Sequence, residues 1–413
     1  MTRTTTIIVG GGQAGLAMSR CLSDLDVEHV VLERGKVAQR WRSDSWDSLH
    51  LLTPNWMTRL PGFRYDGTDP DGFMSVPELI AFLERYAALA KAPVFTDTAV
   101  ENVERSADGF RVVTNRGIWS ASSLVVATGH SEVPAVPAAS RGVAPSIRQL
   151  VPSHYRRPEQ LPPGGVLIVG ASSTGVQLAD EIQRSGRQVT VAAGRHTRLP
   201  RRYRGHDILW WLDRLGVLTQ GIETVHDVER SRHQPSLQLV GKPDHSSLDL
   251  AVLHESGVRL VGRLRDVDGV HVSLADDLVA TTAAADIKMA EILARIDQFI
   301  ATTSVIAGPA EPFNPTWRSA SDGPDHLDLK DEGISTIIWA TGYRRSYPWL
   351  RVPVLDAHGE ILHSGGITRE AGLYVLGQNF QRRRNSSFID GVGADAEVIA
   401  QAIAQSSIRA RVA

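Results

Sequence analysis

The 413 residues are 42% hydrophobic and 22% charged, ordinary values for a folded soluble chain, and the length implies two or three domain-sized units. A formal net charge of -2 provides no field to steer the chain toward nucleic acid or anionic lipid, and no apolar run is long enough to span a bilayer, so no membrane partner is expected. The single cysteine, Cys21, excludes an internal disulfide, a paired-cysteine redox centre and a four-cysteine metal cluster within one chain; the first apolar run, 7–9, leads straight into a glycine motif that cleavage would destroy, so a secretory signal is not expected and the expected compartment is a reducing cytoplasm.

Residues 5–9 read as a short buried strand. Gly10, Gly12 and Gly15 follow in GxGxxG spacing, a helical stretch runs from 13 to about 23, and a second strand, 29–32, ends at Glu33. In such a βαβ unit Gly10 permits the tight turn, Gly12 lets the backbone approach a pyrophosphate, and Gly15 lets the helix pack on the strand. The helix N-terminus offers unpaired amides and partial positive charge to phosphate. Glu33 stands where a carboxylate takes both ribose hydroxyls. Further on, residues 124–129 form an apolar strand ending in Ala127-Thr128-Gly129, whose small residues let a chain pass close to a cofactor. The Pro-containing stretches 133–137 and 158–163 read as links, the second as the entry to another domain.

Residues 165–169 form another buried strand, leading to Gly170-Ala171-Ser172-Ser173-Thr174-Gly175 and a helix to about 183. A strand at 188–192 completes a second βαβ unit. Ser172 replaces the middle glycine and is small enough for close approach. No carboxylate follows the second strand. Arg195 does, with Arg198, Arg201 and Arg202 nearby; these suit a 2′-phosphate and hence NADPH over NADH, the other reading being a solvated surface face.

Between 201 and 322 the sequence is less explicit. Residues 206–212 read as an amphipathic helix whose adjacent Trp210 and Trp211 cannot share one face; core positions for both, or one lining an interdomain cleft, are the two readings. Residues 258–274 alternate like strands around the hairpin signal Asp268-Gly269. Residues 286–300 look helical, with Ile287, Ala290, Ile292 or Leu293, Ile296 and Ile300 apolar. This insertion is a candidate cap over a substrate site or a dimer contact. Residues 337–342 repeat the apolar strand ending in Ala340-Thr341-Gly342 and mark the chain's return to the first domain. A strand at 372–377 and a helix at 391–404 close the chain, the helix directing its N-terminal dipole toward a cofactor. The run Arg382-Arg383-Arg384-Asn385 before it reads as a solvated loop, or as an attractor for an anionic substrate or cofactor phosphate.

Two such units imply two dinucleotides. FAD at the N-terminal unit and a nicotinamide cofactor at the second is the economical assignment, since a flavin needs a hydride source. No HExxH sequence, clustered Cys/His ligands or nucleophile–base pattern is present, so no metal site is expected.

With these motifs in view the chain resembles the class B flavin monooxygenases, in particular the compact bacterial flavin-containing monooxygenases and the plant auxin-forming ones. The resemblance covers nearly the whole chain. It rests on Gly10 to Gly15 with Glu33, Arg40-Trp41-Arg42, Trp46-Asp47, Thr53-Pro54-Asn55 with Leu60-Pro61-Gly62, both Ala-Thr-Gly segments, and Tyr155-Arg156-Arg157-Pro158. It implies an α/β fold of two Rossmann-like three-layer dinucleotide-binding domains. The NADP domain (163–330) would be inserted into the FAD domain (1–162 and 331–413). Cofactor contacts are then expected at Gly10, Gly12, Gln13, Ala14, Gly15, Glu33, Arg34, Trp41, Thr53, Val100, Ala127, Thr128 and Gly129. Further contacts are expected at Gly170, Ser172, Ser173, Thr174, Gly175, Arg195, Ala340, Thr341, Gly342 and Gln378. The implied activity is monooxygenation: NADPH reduces FAD, the reduced flavin and O2 form a C4a-(hydro)peroxide, and one oxygen atom enters a small organic substrate, at a heteroatom or beside a carbonyl. A reductase passing electrons to a ferredoxin-like partner shares both nucleotide units and is the alternative. Asn55 is the one candidate catalytic side chain, an amide beside the flavin ring, and an ordinary Pro-Asn turn is the competing reading. A homodimer through the insertion is the family expectation.

One departure matters. The family's F-x-G-x-x-x-H-x-x-x-(Y/W) segment, aligned on Tyr155, places Val151 at the histidine, Ile147 at the glycine and Pro145 at the phenylalanine, so only the aromatic is retained.

Overall fold

The structure is a computed structural model and describes residues 1–232, 234–309 and 323–412, with side chains to residue 408; the stretch 310–322 at the end of the insertion lies outside the described residues. In chain order its main elements begin with β1 (Thr2–Val9), α1 (Gln13–Ser23), β2 (His29–Leu32), α2 (Val76–Leu89), β3 (Val100–Ser106), β4 (Gly109–Thr114) and β5 (Gly117–Val126). Then come β6 (Arg148–Leu150), β7 (Gly165–Val169), α3 (Ser173–Arg184), β8 (Val189–Ala192), α4 (Ile208–Arg214), β9 (Arg259–Val261), β10 (Leu264–Asp268) and β11 (His271–Leu274). The chain closes with α5 (Leu278–Thr302), β12 (His326–Asp328), β13 (Ile334–Trp339), β14 (Leu373–Val375) and α6 (Val392–Val412).

Two parallel sheets organise these elements. In the first, β14, β5, β1 and β2 lie side by side and parallel, with Val9 opposite both Leu32 and Val126. Successive side chains of a strand point to opposite faces. Ile8, Val31 and Val125 therefore pack under α1, α2 and α6, while Ile7, Val9, Leu32 and Val126 pack against the antiparallel strands β3 and β4. Strands buried on both faces read as unbroken apolar runs, which is why residues 5–9 and 29–32 are legible in the sequence.

The second sheet repeats the plan in the order β6-β13-β7-β8-β9, all parallel. Val166, Ile168 and Val191 face α3, and Leu167, Val169 and Trp339 face the antiparallel triplet β10-β11-β12. The architecture is α/β, with two Rossmann-like three-layer units.

The chain's path between the sheets departs from the expected one. β13, expected to begin the return to the first unit, lies inside the second sheet between β6 and β7. β6, expected before the insertion, pairs with β13, and Tyr155 belongs to the second unit's core. The crossing itself is made by two adjacent segments: Val133–Pro134 pairs antiparallel with Tyr343–Arg344. The sequence hides this because β6 is only three residues long (Arg-Gln-Leu), two of them polar, too little for a periodicity to register.

Two further readings are corrected. α5 begins eight residues before the expected start, and its buried stripe is Leu278, Thr282, Ala285, Met289, Leu293 and Ile296. Ile287 falls off that stripe and is 61% exposed. Trp211 is fully buried, its Nε1 donating to Tyr203 O at 2.7 Å, whereas Trp210 is half-buried and stacks on His206 at 4.1 Å.

Helix α1 is seated on β1 by the absence of one side chain. A Cβ on Gly15 would lie 1.8 Å from Gly10 O, inside any permitted contact. Because both partners are backbone in a close-packed layer, Gly15→Ala should lower unfolding free energy by about 1–3 kcal/mol. Urea denaturation of the ligand-free protein measures this, and a change under about 0.5 kcal/mol would show that the helix can lift away freely.

Candidate functional site

The two glycine turns have the same construction. Each follows the central strand of a parallel sheet at its carboxyl end, where open α/β sheets bind ligands. Gly10 N donates to Leu32 O at 2.9 Å, and Gly170 N donates to Ala192 O at 3.0 Å. Both glycines have left-handed φ, +112° and +114°, and a Cβ on either would strike a carbonyl behind it: Ala127 O at 2.6 Å, or Ala340 O at 2.3 Å. The two Ala-Thr-Gly segments are thus the back walls of the two turns. Gly175 repeats the role of Gly15, its Cβ position lying 1.9 Å from Gly170 O.

At the third position the turns open outward. A Cβ on Gly12 would meet nothing within 4 Å. Gly12 is the N-cap of α1 and Ser172 that of α3; neither helix has a side-chain cap or an acidic residue in its first turn. The first-turn amides of both helices therefore have no side-chain acceptor, and the dipoles of both favour an anion there. Beside the first turn, the buried Glu33 is fixed by two backbone donors, Gly11 N to Oε2 at 2.6 Å and Gly35 N to Oε1 at 2.9 Å.

A cavity of about 1470 Å³ begins at this turn. Single drug-sized ligands occupy roughly 300–1,000 Å³, so there is room for more than one. Its lining includes Gly10, Gly12, Gln13, Ala14, Glu33, Arg34, Trp41, Thr53, Val100, Ala127, Thr128 and Gly129 from the first unit. Ser173 and Thr174 line it from the first turn of α3, joined by Gln177. Thr128 Oγ1, on this wall, is buried and has no hydrogen-bond partner among the described residues. An orphaned hydroxyl, open helix amides and a preset carboxylate are the donor set a dinucleotide phosphate and ribose require.

Several expected residues do not reach the cavity. Gly15, Gly170 and Gly175 are packing glycines, as above, and Ser172 is half-buried beside the second turn. Ala340 backs Gly170, and Thr341 Oγ1 donates to Ala135 O at 2.8 Å, tying the two crossing segments together beside Gly342. Gln378 is buried behind the wall, where its Oε1 accepts from Arg345 at 2.8 Å. Asn55 is turned away as well: its Nδ2 donates to Asp69 O at 2.9 Å, which makes it part of a turn rather than of the wall.

The arginine run after β8 divides. Arg198 is enclosed between Asp249 (3.2 Å) and Asp286 (2.9 Å), and Arg201 is fully buried, bonded to Asp207 and to Leu52 O. Both are structural, because a buried guanidinium must be paired. Arg202 donates to Gly205 O at 2.7 Å. Arg195 is exposed like Arg202 but, among the described residues, has no partner; Arg263, just after the neighbouring β9, lies against Gly194.

Other wall residues carry no motif. His130 follows directly on Gly129, the one positional signal available; burial, with Arg345 and Arg40 nearby, pushes its imidazole down to about 4, so it is neutral at pH 7. The Arg382-Arg383-Arg384-Asn385 run is not a solvated loop: Asn385 is buried, the arginines are half-buried, and Arg384 lines the cavity. The retained aromatic Tyr155 is fully buried, its hydroxyl donating to Glu181 Oε1 at 3.1 Å, while Ser48 donates to Glu181 Oε2 at 2.6 Å. Glu181, held on its other oxygen by Tyr155, therefore ties the second unit to the 43–48 loop of the first through Ser48. Among the described residues no cluster of metal-ligating side chains occurs, and no helix is long and apolar enough to cross a membrane.

Comparison with known proteins agrees with this geometry. The family model described as pyridine nucleotide-disulphide oxidoreductase matches residues 7–226. The uncharacterized oxidoreductase CzcO-like of Geobacillus kaustophilus (strain HTA426) is 29% identical over 396 residues, 95% of this chain and 96% of that protein. Indole-3-pyruvate monooxygenase YUCCA1 of Oryza sativa subsp. japonica is 29% identical over 391 residues, 90% of this chain and 86% of that protein. The flavin-containing monooxygenase from Stenotrophomonas maltophilia superposes with a TM-score of 0.69 at 18% identity, covering 98% of this chain and all of that one. The disulphide in the family's description has no counterpart here. Cys21 is the one cysteine; it is buried in α1, and burial pushes its thiol up to about 12. With two dinucleotide turns and no thiol pair, the chain belongs to the pyridine nucleotide-disulphide oxidoreductase family and is a class B flavin monooxygenase-like protein.

Proposed function

We propose that this protein is an FAD- and NADPH-dependent monooxygenase that transfers one oxygen atom from O2 to a small organic substrate. The observation that carries the proposal is the continuity of the cavity: one space runs from the open cradle at Gly12 to the first turn of α3. Two cofactors held at those ends share that space, which electron transfer between them requires. Bound flavin would accept hydride from the nicotinamide and, once reduced, activate dioxygen.

The chain's own contribution is binding, orientation and exclusion of water. Gly12 and the N-terminus of α1 hold the FAD pyrophosphate, with Gln13 and Ala14 beside it, and Glu33 receives the ribose hydroxyls. Trp41, Thr53 and Thr128 border the flavin. Ser173, Thr174 and the N-terminus of α3 hold the nicotinamide cofactor's pyrophosphate, and Arg195 takes its 2′-phosphate. Leu199, Leu209, Leu212, Leu239 and Phe388 give the far end of the cavity an apolar wall, the setting in which a reactive oxygen species is shielded from water.

Three outcomes are expected. NADPH-reduced protein mixed with O2 in a stopped-flow spectrometer should pass through a transient absorbance belonging to neither oxidised nor reduced flavin; direct return to the oxidised spectrum would instead favour a reductase or oxidase. Gly12→Ala should leave ligand-free stability within about 1 kcal/mol, an N-cap effect, yet lose FAD, because the added methyl occupies the cradle. Urea denaturation and flavin content measured on one preparation test this, and retention of FAD would remove the pyrophosphate assignment. Arg195→Ala should raise KM for NADPH about tenfold or more, the scale of a lost hydrogen bond to a charged group, while changing KM for NADH less than about twofold. Equal effects on the two cofactors would remove the 2′-phosphate contact.

A further inference from the structure

The far end of the cavity carries charge that neither cofactor assignment uses. Its apolar wall is formed by α4 and the residues after it (Leu212, Leu215), by Ile292 on α5 and by Phe388. Set into this wall is Arg384. Its Nε donates to Gln220 Oε1 at 2.7 Å, its Nη1 donates to Gln234 Oε1 at 3.2 Å, and the guanidinium lies 5.2 Å from the centre of the Phe380 ring. Its backbone is held too, Arg384 N donating to Gln220 O at 3.2 Å. The side chain is thus aimed by two neutral amides and an aromatic face, and three of its five N–H groups are left without an acceptor.

No carboxylate among the described residues answers this charge. Among the described residues none lies within ion-pair distance of Arg384, nor of Arg295, the second guanidinium on this wall. The third, Arg232, has Glu229 at 3.4 Å. Burial and the like charge of Arg295 both push the Arg384 guanidinium below its ordinary value, so the empty wall disfavours its own charge and an arriving anion relieves it. Arg198 and Arg201, buried more deeply in the second unit, each have carboxylate partners. A half-buried guanidinium fixed in place and, among the described residues, without a counterion is the pattern of a binding group rather than a structural one.

We propose that Arg384, supported by Arg295, binds the carboxylate of the substrate, and that the substrate is an amphipathic organic acid whose apolar body lies against Leu212, Leu215, Ile292 and Phe388. This rests on the monooxygenase reading for what happens to the acid after binding, and on the cavity wall alone for its capture.

The test is calorimetric titration of the FAD-loaded protein with phenylacetate, 4-phenylbutyrate and indole-3-acetate, each paired with its neutral amide. At least one acid should bind about tenfold or more tightly than its amide, the scale of a charge-assisted contact. Arg384→Gln should weaken that acid about tenfold and the amide less than about twofold, while Arg384→Lys should retain part of the preference. If Arg384→Gln does not fold, Arg295→Gln carries the same comparison with a loss of about threefold. Three outcomes overturn the proposal: no acid binding, equal binding of every acid and its amide, or an Arg384→Gln protein that keeps the acid preference while its KM for NADPH rises. The last would assign the group to a cofactor phosphate. Binding heat requires neither O2 nor turnover. A protein that prefers acids but shows no transient absorbance therefore keeps this site and loses the monooxygenase reading, and the converse result separates the two the other way.

Discussion

Backbone contact with backbone, made possible by missing side chains, sets the geometry of the whole molecule. Gly15 against Gly10 O and Gly175 against Gly170 O seat two helices directly on the ends of two central strands. Side-chain burial alone would hold α1 and α3 against their sheets but would not bring their first turns to the strand ends. The close seat does so, and it delivers two uncapped helix N-termini to the mouths of two parallel sheets. The cradle at Gly12, the ledge at Ser173 and Thr174, and the preset Glu33 carboxylate all follow from where those helices begin.

The duplication explains the roles of the two Ala-Thr-Gly segments. Each closes the strand adjacent to a glycine turn and places its alanine carbonyl against the first glycine. After the alanine the chain leaves the sheet, and in both cases it leaves for the other unit. The two departures run side by side, Val133–Pro134 against Tyr343–Arg344, with Thr341 bonded to Ala135 O. One short antiparallel ribbon therefore connects two sheets whose strand ends share a cavity, while Tyr155, Glu181 and Ser48 tie the units together at a second place. In a chain whose Val151 stands where the related enzymes have histidine, that Tyr155 contact is what the segment retains.

The cavity is chemically divided along its length. Near the first turn its walls are glycine turns, strand ends and polar side chains that include the carboxylates of Glu33, Asp44 and Glu132; toward α4 and α5 they become aliphatic and aromatic, interrupted by arginines. The division follows chain origin. The first part is built by strand ends and glycine turns, which repeat in both units, and the second by the insertion and the segment before α6, which do not. In the function proposed for this protein, nucleotide binding and substrate choice sit on structurally separate parts of one space.

Much of this was legible in the sequence, for a physical reason. Strands buried on both faces must be continuously apolar, and a turn that admits only glycine at set spacings cannot vary, so β1, β2, β7, β8, α1 and α3 follow from local rules alone, as do Gly10, Gly12 and Glu33. The same rules miss β6, whose three residues take their place in the second sheet only through pairing with β13. They also cannot sort the arginines. Arg195, Arg198, Arg201 and Arg384 are chemically identical in a string of letters; folding gives Arg198 and Arg201 carboxylate partners, leaves Arg195 at an edge, and sets Arg384 into an apolar wall between two glutamines. Nor do those rules show the partner of Asn55, because the acceptor it donates to, Asp69 O, lies fourteen residues on. Backbone conformation and its glycine requirements are written locally and were determined by the sequence as read; which charge finds a partner, and which wall each side chain faces, depends on contacts between residues far apart in the chain, and only the tertiary structure decided it.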